Sequence, residues 1–262
     1  MLSVTCAGDS VAATPLARLT DLAISATQML IVEETIVVAT AAGPMGCLVL
    51  RPKSAGRRFP GLIFYSEIYQ ITGPIKRTCA LLASHGFVVV VPEVYHELLP
   101  AGAVLSYTPE DTARGNTCKT EKALESYDSD AAAAAAWLAA SEHCTGRVGA
   151  AGTCLGGGLA FRAALLPAVR AAVCFYATDL HKGHPAVGGI SSTGDDTLAR
   201  AAALKDKPVM MIYGRQDPHV PAEGRRIVYD ALTAAGADFE WHEFCGVHAF
   251  LRDESSGGRV RE

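Results

Sequence analysis

The chain has 262 residues, of which half are hydrophobic and 19% are charged, and its formal net charge is −4. This composition excludes a largely disordered chain, because so many apolar residues can bury a core. The slightly acidic balance argues against a general nucleic-acid-binding protein, which usually carries a basic surface. The longest apolar run, Ala131 to Ala140, is shorter than the ~20 residues that cross a membrane, so we predict a soluble protein without membrane partners.

The ends and the cysteines of the chain indicate its compartment. The eight cysteines include no Cys-x-x-Cys pair, so we expect reduced thiols, no metal and a cytoplasmic location. We interpret residues 1–30 as an N-terminal extension that lacks the basic start and apolar middle of a secretory signal. Its many Ala, Ser and Thr residues leave organelle targeting open as the alternative.

The first half of the chain alternates apolar runs with one helical pattern. Residues 31–41 and 45–50 read as two strands joined by a turn at Gly43-Pro44. A short apolar run at residues 61–66 precedes a helix with regularly spaced apolar residues that ends at Gly86. The next run, Phe87–Val91, is apolar on both faces, as in a strand inside a parallel sheet. Residues 97–127 are polar, and we predict no regular structure there.

The second half continues this alternation with longer helices. In chain order the predicted elements are a helix at 128–142, a strand at 147–152, a helix at 157–166, strands at 171–176 and 207–213, a helix at 221–235 and a strand at 239–244. Strands that alternate with helices form a parallel sheet with right-handed crossovers. We therefore predict a single-domain α/β fold over residues 31–262.

The segment Gly152-Thr153-Cys154-Leu155-Gly156 carries the sharpest chemical signal. It lies between a predicted strand and a predicted helix, as does the G-x-nucleophile-x-G elbow of hydrolases, here with cysteine as the nucleophile. The tight turn requires glycines on both sides, and the positive end of the following helix favours a thiolate. The alternative interpretation is a buried structural thiol beside a glycine-rich turn.

A nucleophile of this type needs a histidine base and an acid that orients the base. Asp217 follows a predicted strand, at the edge of the sheet where catalytic groups gather. His248 follows the last predicted strand, which completes the chain order nucleophile, acid, histidine. His219 is a weaker candidate for the base, because a histidine beside Asp217 in the same loop can simply pack there.

Four segments together resemble the dienelactone hydrolase (carboxymethylenebutenolidase) family of α/β-hydrolases, and the resemblance extends from about Ile31 to Glu254. They are Ser66-Glu67-Ile68, Gly152-Thr153-Cys154-Leu155-Gly156-Gly157, Gly214-Arg215-Gln216-Asp217-Pro218-His219-Val220-Pro221 and His248-Ala249-Phe250-Leu251-Arg252. The resemblance implies an α/β-hydrolase fold. It also implies a catalytic triad of Cys154, His248 and Asp217.

The resemblance assigns three further roles near the nucleophile. Glu67 would help to take up the thiol proton when substrate arrives. The backbone N–H groups of Ile68 and Leu155 would form the oxyanion hole. Arg252 would bind a substrate carboxylate, for which a guanidinium offers a bidentate fork.

The family's second substrate-binding arginine comes from the segment before the long helix. Arg114 is our candidate for it, and Lys119 and Lys122 are the alternatives in the same segment. The family also closes with a further helix, whereas Ser255–Glu262 is short and polar. We therefore expect the fold to lack that last helix, which would leave an apolar strip of the sheet uncovered.

These residues predict a cysteine-dependent hydrolase that needs no cofactor. Its substrate would be a small lactone or enol ester with a carboxylate, opened through an acyl-enzyme. One alternative is a general carboxylesterase or thioesterase, because one fold accommodates many substrates. The other is a non-catalytic relative that binds a small acid or a protein partner.

Overall fold

The computed structural model describes residues 29–182, 197–252 and 254. Within them the chain forms one sheet of eight strands, and each strand overlaps a strand predicted from the sequence. The strands are β1 (Ile31–Thr40), β2 (Gly43–Pro52), β3 (Phe59–Tyr65), β4 (Val88–Pro92), β5 (Cys144–Thr153), β6 (Val169–Phe175), β7 (Val209–Gly214) and β8 (Phe239–Phe244).

The sheet has the order β1-β2-β4-β3-β5-β6-β7-β8. The β1–β2 and β2–β4 pairs are antiparallel, and every pair from β4 to β8 is parallel. Since β4 has no exposed residue, its run of valines is explained by burial on both faces of the sheet. The architecture confirms the predicted single-domain α/β fold with a mostly parallel sheet.

Helices connect the parallel strands and cover the sheet. In the described residues these are α1 (Gly73–Ser84), α2 (Pro109–Glu121), α3 (Leu124–Ala140), α4 (Leu155–Ala164) and α5 (Ala222–Ala234), with shorter 3-10 segments at Leu180–Lys182 and Thr197–Leu204. None of these helices is both long and apolar enough to span a lipid bilayer. The predicted helices at 128–142, 157–166 and 221–235 are confirmed, with shifts of a few residues at their ends.

The two faces of the sheet are covered unequally. Helices α3, α4 and α5 contribute to a large apolar core on one face. On the opposite face α1 packs on β1, β2 and β4, and Ile75, Cys79 and Ala83 of this helix enter a smaller core there. The carboxyl ends of the parallel strands meet at one edge of the sheet, where β3, β5, β7 and β8 deliver the predicted site residues.

The prediction that residues 97–127 lack regular structure is wrong. They contain α2 and the first turn of α3. Helix α2 shows no apolar periodicity because only Gly115 and Cys118 are buried in it, so its pattern resembled that of a polar loop. Its start does carry a signal, because Thr108 Oγ1 accepts a hydrogen bond from the Asp111 backbone N–H at 3.2 Å and Pro109 occupies the first turn.

Two expectations from the sequence fall largely outside the described residues. The predicted N-terminal extension covers residues 1–30, of which the structure describes Met29 and Leu30. The expected loss of a closing helix concerns residues 255–262, which are also outside the described part.

Candidate active site

The turn between β5 and α4 holds Cys154 in a strained backbone conformation, with φ 59° and ψ −121°. The Cys154 N–H donates a hydrogen bond to the Phe175 carbonyl at 3.1 Å, which ties the turn to β6. A Cβ on Gly156 would lie 2.2 Å from the Tyr65 carbonyl oxygen, and one on Gly152 would lie 2.2 Å from the Gly156 carbonyl oxygen. The glycines of the predicted elbow are therefore required by close backbone packing.

Asp217 and His248 meet beside this turn although 31 residues separate them. Asp217 lies in the loop after β7, and its Oδ2 is 2.7 Å from His248 Nδ1. The other oxygen, Oδ1, accepts hydrogen bonds from the backbone N–H groups of His219 at 2.8 Å and Val220 at 3.3 Å. The carboxylate is thereby fixed on both oxygens and orients the His248 ring.

The electrostatics of this group favour a charged imidazolium. Burial alone would lower the pKa of His248, but attraction to Cys154 and hydrogen bonds with Asp217 and Cys154 raise the pKa to about 10. Burial opposes ionisation of Asp217 as well, yet its bonds to His248 and to two backbone N–H groups hold the pKa of Asp217 below its usual value. The His248 ring, paired with the Asp217 carboxylate, is therefore suited to hold a proton.

The structure joins Glu67 and Arg252, two residues for which the sequence predicted separate roles. Glu67 Oε2 accepts hydrogen bonds from Arg252 Nε at 3.1 Å and Nη2 at 2.8 Å. Glu67 Oε1 is buried and has no hydrogen-bond partner among the described residues. Burial raises the pKa of Glu67 although Arg252 and His248 oppose that rise. The carboxyl group is thus poised to accept a proton if Arg252 is drawn away.

Two tyrosines that sequence reasoning missed lie against the guanidinium of Arg252. The guanidinium carbon lies 4.2 Å from the centre of the Tyr107 ring and 5.4 Å from that of Tyr69. Hydrogen bonds fix both rings, from the Tyr107 hydroxyl to Thr72 Oγ1 at 3.0 Å and between the Tyr69 hydroxyl and Thr112 Oγ1 at 2.9 Å. The position of Tyr69 two residues after Glu67 was the available signal, while Tyr107 was hidden in the segment predicted to be irregular.

The backbone N–H groups of Ile68 and Leu155 lie on the two turns that border Cys154. Leu155 is the first residue of α4, and Ile68 follows Glu67 after β3. Within the described part of the chain neither N–H donates a hydrogen bond to another backbone group. Both donors are therefore available to a ligand oxygen.

The three basic residues proposed for the second substrate contact have different environments. Arg114 is exposed on α2, and none of the ion pairs among described residues includes it. Lys119 Nζ pairs with Asp179 Oδ2 at 3.0 Å. The buried Lys122 Nζ lies 2.5 Å from Glu97 Oε1 and 2.6 Å from Asp130 Oδ2. The two lysines are thus held by carboxylates, which leaves Arg114 as our candidate.

One cluster of the described residues, His96, Glu97 and Asp130, has metal-ligand spacing. The ammonium group of Lys122 already pairs with both carboxylates, at the distances of close ion pairs. His96 Nε2 also lies 3.1 Å from Asp130 Oδ2. The cluster is therefore satisfied as an ion-pair network around the buried Lys122.

The strand order, the strained turn after β5 and the positions of Asp217 and His248 after later strands define an α/β-hydrolase. A profile of the dienelactone hydrolase family matches residues 45–261. The chain belongs to the dienelactone hydrolase family and is a hydrolase of carboxylic esters.

Individual relatives agree with this placement. A putative carboxymethylenebutenolidase from Saccharomyces cerevisiae is 40% identical over 239 residues, which cover 88% of this chain and 86% of that protein. A carboxymethylenebutenolidase from Pseudomonas putida is 28% identical over 218 residues, which cover 81% and 83%. The crystal structure of a putative dienelactone hydrolase from Klebsiella pneumoniae superposes with a TM-score of 0.73 at 23% identity, covering 88% of this chain and 92% of that one.

Proposed function

We propose that the protein hydrolyses a small lactone or enol ester that carries a carboxylate, with Cys154 as the nucleophile. Cys154, His248 and Asp217 would act as a catalytic triad, and Glu67 would assist it. The observation that carries the substrate class is the buried ion pair of Arg252 with Glu67. A substrate carboxylate can compete with Glu67 for this guanidinium.

The first step is docking of the substrate carboxylate. The guanidinium of Arg252 lies against the Tyr107 and Tyr69 rings. An incoming carboxylate would compete with Glu67 for its Nε–H and Nη2–H donors. When the substrate carboxylate takes over hydrogen bonds from Arg252, Glu67 loses the contact that opposes its raised pKa. Glu67 then becomes a stronger proton acceptor at the moment when the site is occupied.

Acylation follows on the sulfur of Cys154. The thiol proton passes to His248 or to Glu67, and the thiolate forms a C–S bond with the ester carbonyl carbon. The resulting oxyanion accepts hydrogen bonds from the N–H groups of Ile68 and Leu155. Collapse of this intermediate breaks the C–O bond of the lactone, and the leaving oxygen stays tethered to the acyl group.

Deacylation requires water and a base. His248, with its Nδ1 held by Asp217 at 2.7 Å, presents its other ring nitrogen to the acyl-enzyme and removes a proton from the attacking water. Water adds to the thioester carbonyl, and the C–S bond then breaks. The product leaves as a dicarboxylate, and Cys154 is restored.

The proposal is tested by hydrolysis of a dienelactone, its methyl ester and p-nitrophenyl acetate. We expect rapid turnover of the dienelactone by the wild type and its loss in Cys154→Ala. Arg252→Met should raise the KM for the dienelactone about 10- to 100-fold, as for loss of a charged hydrogen bond, with little effect on the methyl ester. Arg226→Met, at an exposed helix position, is the matched control.

Other results would redirect the assignment. Cys154-dependent turnover of the acetate alone would favour a general carboxylesterase or thioesterase. Folded protein that shows no Cys154-dependent turnover of any of the three esters would refute the proposal and favour a binding role. A dienelactone activity that survives in Cys154→Ala would exclude the thiol as the nucleophile.

A further inference from the structure

The loop that carries Asp217, here called the acid loop, runs from Gly214 to Val220. Strand β7 ends at Gly214, and α5 begins at Ala222. The Asp217 N–H donates a hydrogen bond to the Gly214 carbonyl at 3.2 Å, and Asp217 Oδ1 accepts one from the Val220 N–H at 3.3 Å. The two ends of the acid loop therefore hold Asp217, and the position of its carboxylate depends on how these ends are fixed.

The side chain of Arg225, in the first turn of α5, reaches both ends of the acid loop. Its Nη1 donates a hydrogen bond to the Val220 carbonyl at 2.9 Å and a longer one to the Gly214 carbonyl at 3.5 Å. Among the described residues no other side chain donates a hydrogen bond to a carbonyl group of this loop. Val220 is thus held on both sides, because its N–H binds Asp217 and its carbonyl group binds Arg225.

Glu243 of β8 holds the same guanidinium from another direction. Arg225 Nε lies 3.2 Å from Glu243 Oε1, and this oxygen also accepts a hydrogen bond from Trp241 Nε1 at 3.1 Å. The Arg225 side chain is 7% exposed. The planar fork of the guanidinium thereby connects β8, α5 and the acid loop, which a single donor could not do.

The position of Arg225 is unfavourable for the helix itself. A cation near a helix N-terminus faces the positive end of the helix dipole, and burial of a charge costs further free energy. The next residue, Arg226, avoids both costs, because its side chain is 81% exposed and pairs with Asp230 one turn later. The bonds to Glu243 and to the acid loop explain why a charged side chain is buried at this end of α5.

We propose that Arg225 is a positioning residue for the catalytic acid, because it fixes the acid loop within reach of His248. The inference rests on the proposed triad of Cys154, His248 and Asp217. Asp217 Oδ2 is 2.7 Å from His248 Nδ1, so a shift of the loop by about 1 Å would exceed hydrogen-bond distance. A misplacement of this size lowers the rate of a reaction by roughly 10²-fold. Arg225 acts through Val220 and Asp217, so it affects kcat rather than KM.

Steady-state kinetics of Arg225→Met with the dienelactone tests the proposal. Methionine keeps most of the apolar stem of the side chain but removes the donors to Val220, Gly214 and Glu243. We expect kcat to fall about 10- to 100-fold and KM to change by less than about twofold. Arg226→Met is the matched control at the next residue and should leave both constants unchanged.

Glu243→Gln separates positioning from a purely structural role. It removes the charge of the ion pair but keeps an acceptor oxygen for Arg225, whose bond to Val220 stays in place. Both variants should lower Tm, whereas only Arg225→Met should weaken the low-field proton NMR signal of the His248–Asp217 hydrogen bond. If Arg225→Met does not fold, Arg225→Lys replaces it with the same expected effects, because one ammonium group lacks the fork that binds Val220 and Glu243 together.

The possible outcomes distinguish this role from the proposed function. An unchanged kcat or an unchanged NMR signal in a folded Arg225 variant would overturn the positioning role, as would an equal fall in kcat for Glu243→Gln. Asp217→Asn is measured beside these variants. If Asp217→Asn lowers kcat and the Arg225 variant does not, only the positioning role is wrong. If Asp217→Asn has no effect on kcat, the triad itself is wrong, and the positioning role falls with it.

Discussion

Replacing Arg252 by methionine isolates the energetic cost of the buried carboxyl group of Glu67. The Glu67 side chain is 3% exposed, and that of Arg252 is 13% exposed. Methionine keeps most of the apolar stem of Arg252 but removes both donors to Glu67 Oε2. Because Oε1 has no partner among the described residues, the variant leaves an almost unsolvated carboxylate without compensation.

The expected loss of stability follows from this burial. Breaking a buried ion pair by removing one partner costs about 3–5 kcal/mol, and protonation of Glu67 relieves part of that cost. We expect Arg252→Met to lower the free energy of unfolding by about 3 kcal/mol at pH 8. For a domain of this size that corresponds to a fall in Tm of roughly 6–12 °C.

The pH dependence has a definite sign. Burial raises the pKa of Glu67, and loss of Arg252 removes the main opposing contact. A carboxyl group whose pKa is higher in the folded than in the unfolded state binds more protons when folded. Proton binding by Glu67 therefore stabilises the folded state fully at pH values below the unfolded pKa, and this stabilisation is lost as the pH rises through the folded pKa. The destabilisation by Arg252→Met should be smaller at pH 5 than at pH 8.

Thermal and urea unfolding of three variants at both pH values measures this effect. Glu67→Gln combined with Arg252→Met removes the buried charge and should recover most of the lost stability at pH 8. Arg226→Met, which breaks an exposed pair with Asp230, should change stability by less than about 0.5 kcal/mol. Equal Tm values for wild type and Arg252→Met, or no recovery in the double variant, would refute the reasoning.

Three further predictions concern the neighbouring residues. Asp217→Asn should lower kcat by roughly 10³- to 10⁴-fold with an unchanged fold, because His248 loses the carboxylate that orients it; kinetics and circular dichroism check this. In an NMR titration the His248 ring should titrate near pH 10 in the wild type and at lower pH in Cys154→Ala, and equal pKa values would contradict a contribution of Cys154 to the raised pKa of His248. Gly115→Ala places a Cβ 2.6 Å from the Ile68 carbonyl oxygen and so displaces the Ile68 turn. If the Ile68 N–H forms the oxyanion hole, kcat should fall about tenfold with little change in KM. The control Asn116→Ala, on the exposed face of α2, should leave kcat unchanged.

The sequence predicted the fold because its signals are local. The inner strands β3 and β4 are apolar runs, as their burial inside the sheet requires, whereas the edge strand β8 alternates apolar and polar residues. The flanking glycines also predict the strained turn at Cys154, because close backbone contacts at Gly152 and Gly156 leave no room for a side chain. Helix α2 was missed because its packing against the Ile68 turn depends on Gly115 and leaves no apolar periodicity.

The sequence by itself determined the order of the elements, the elbow at Cys154 and the placement of Asp217 and His248 after later strands. Only the tertiary structure decided that Arg252 pairs with Glu67, 185 residues away along the chain, beside two tyrosine rings. It also decided that Arg225 binds both ends of the acid loop. Such features depend on contacts between residues far apart in the chain, and the local spacing of residues does not predict those contacts.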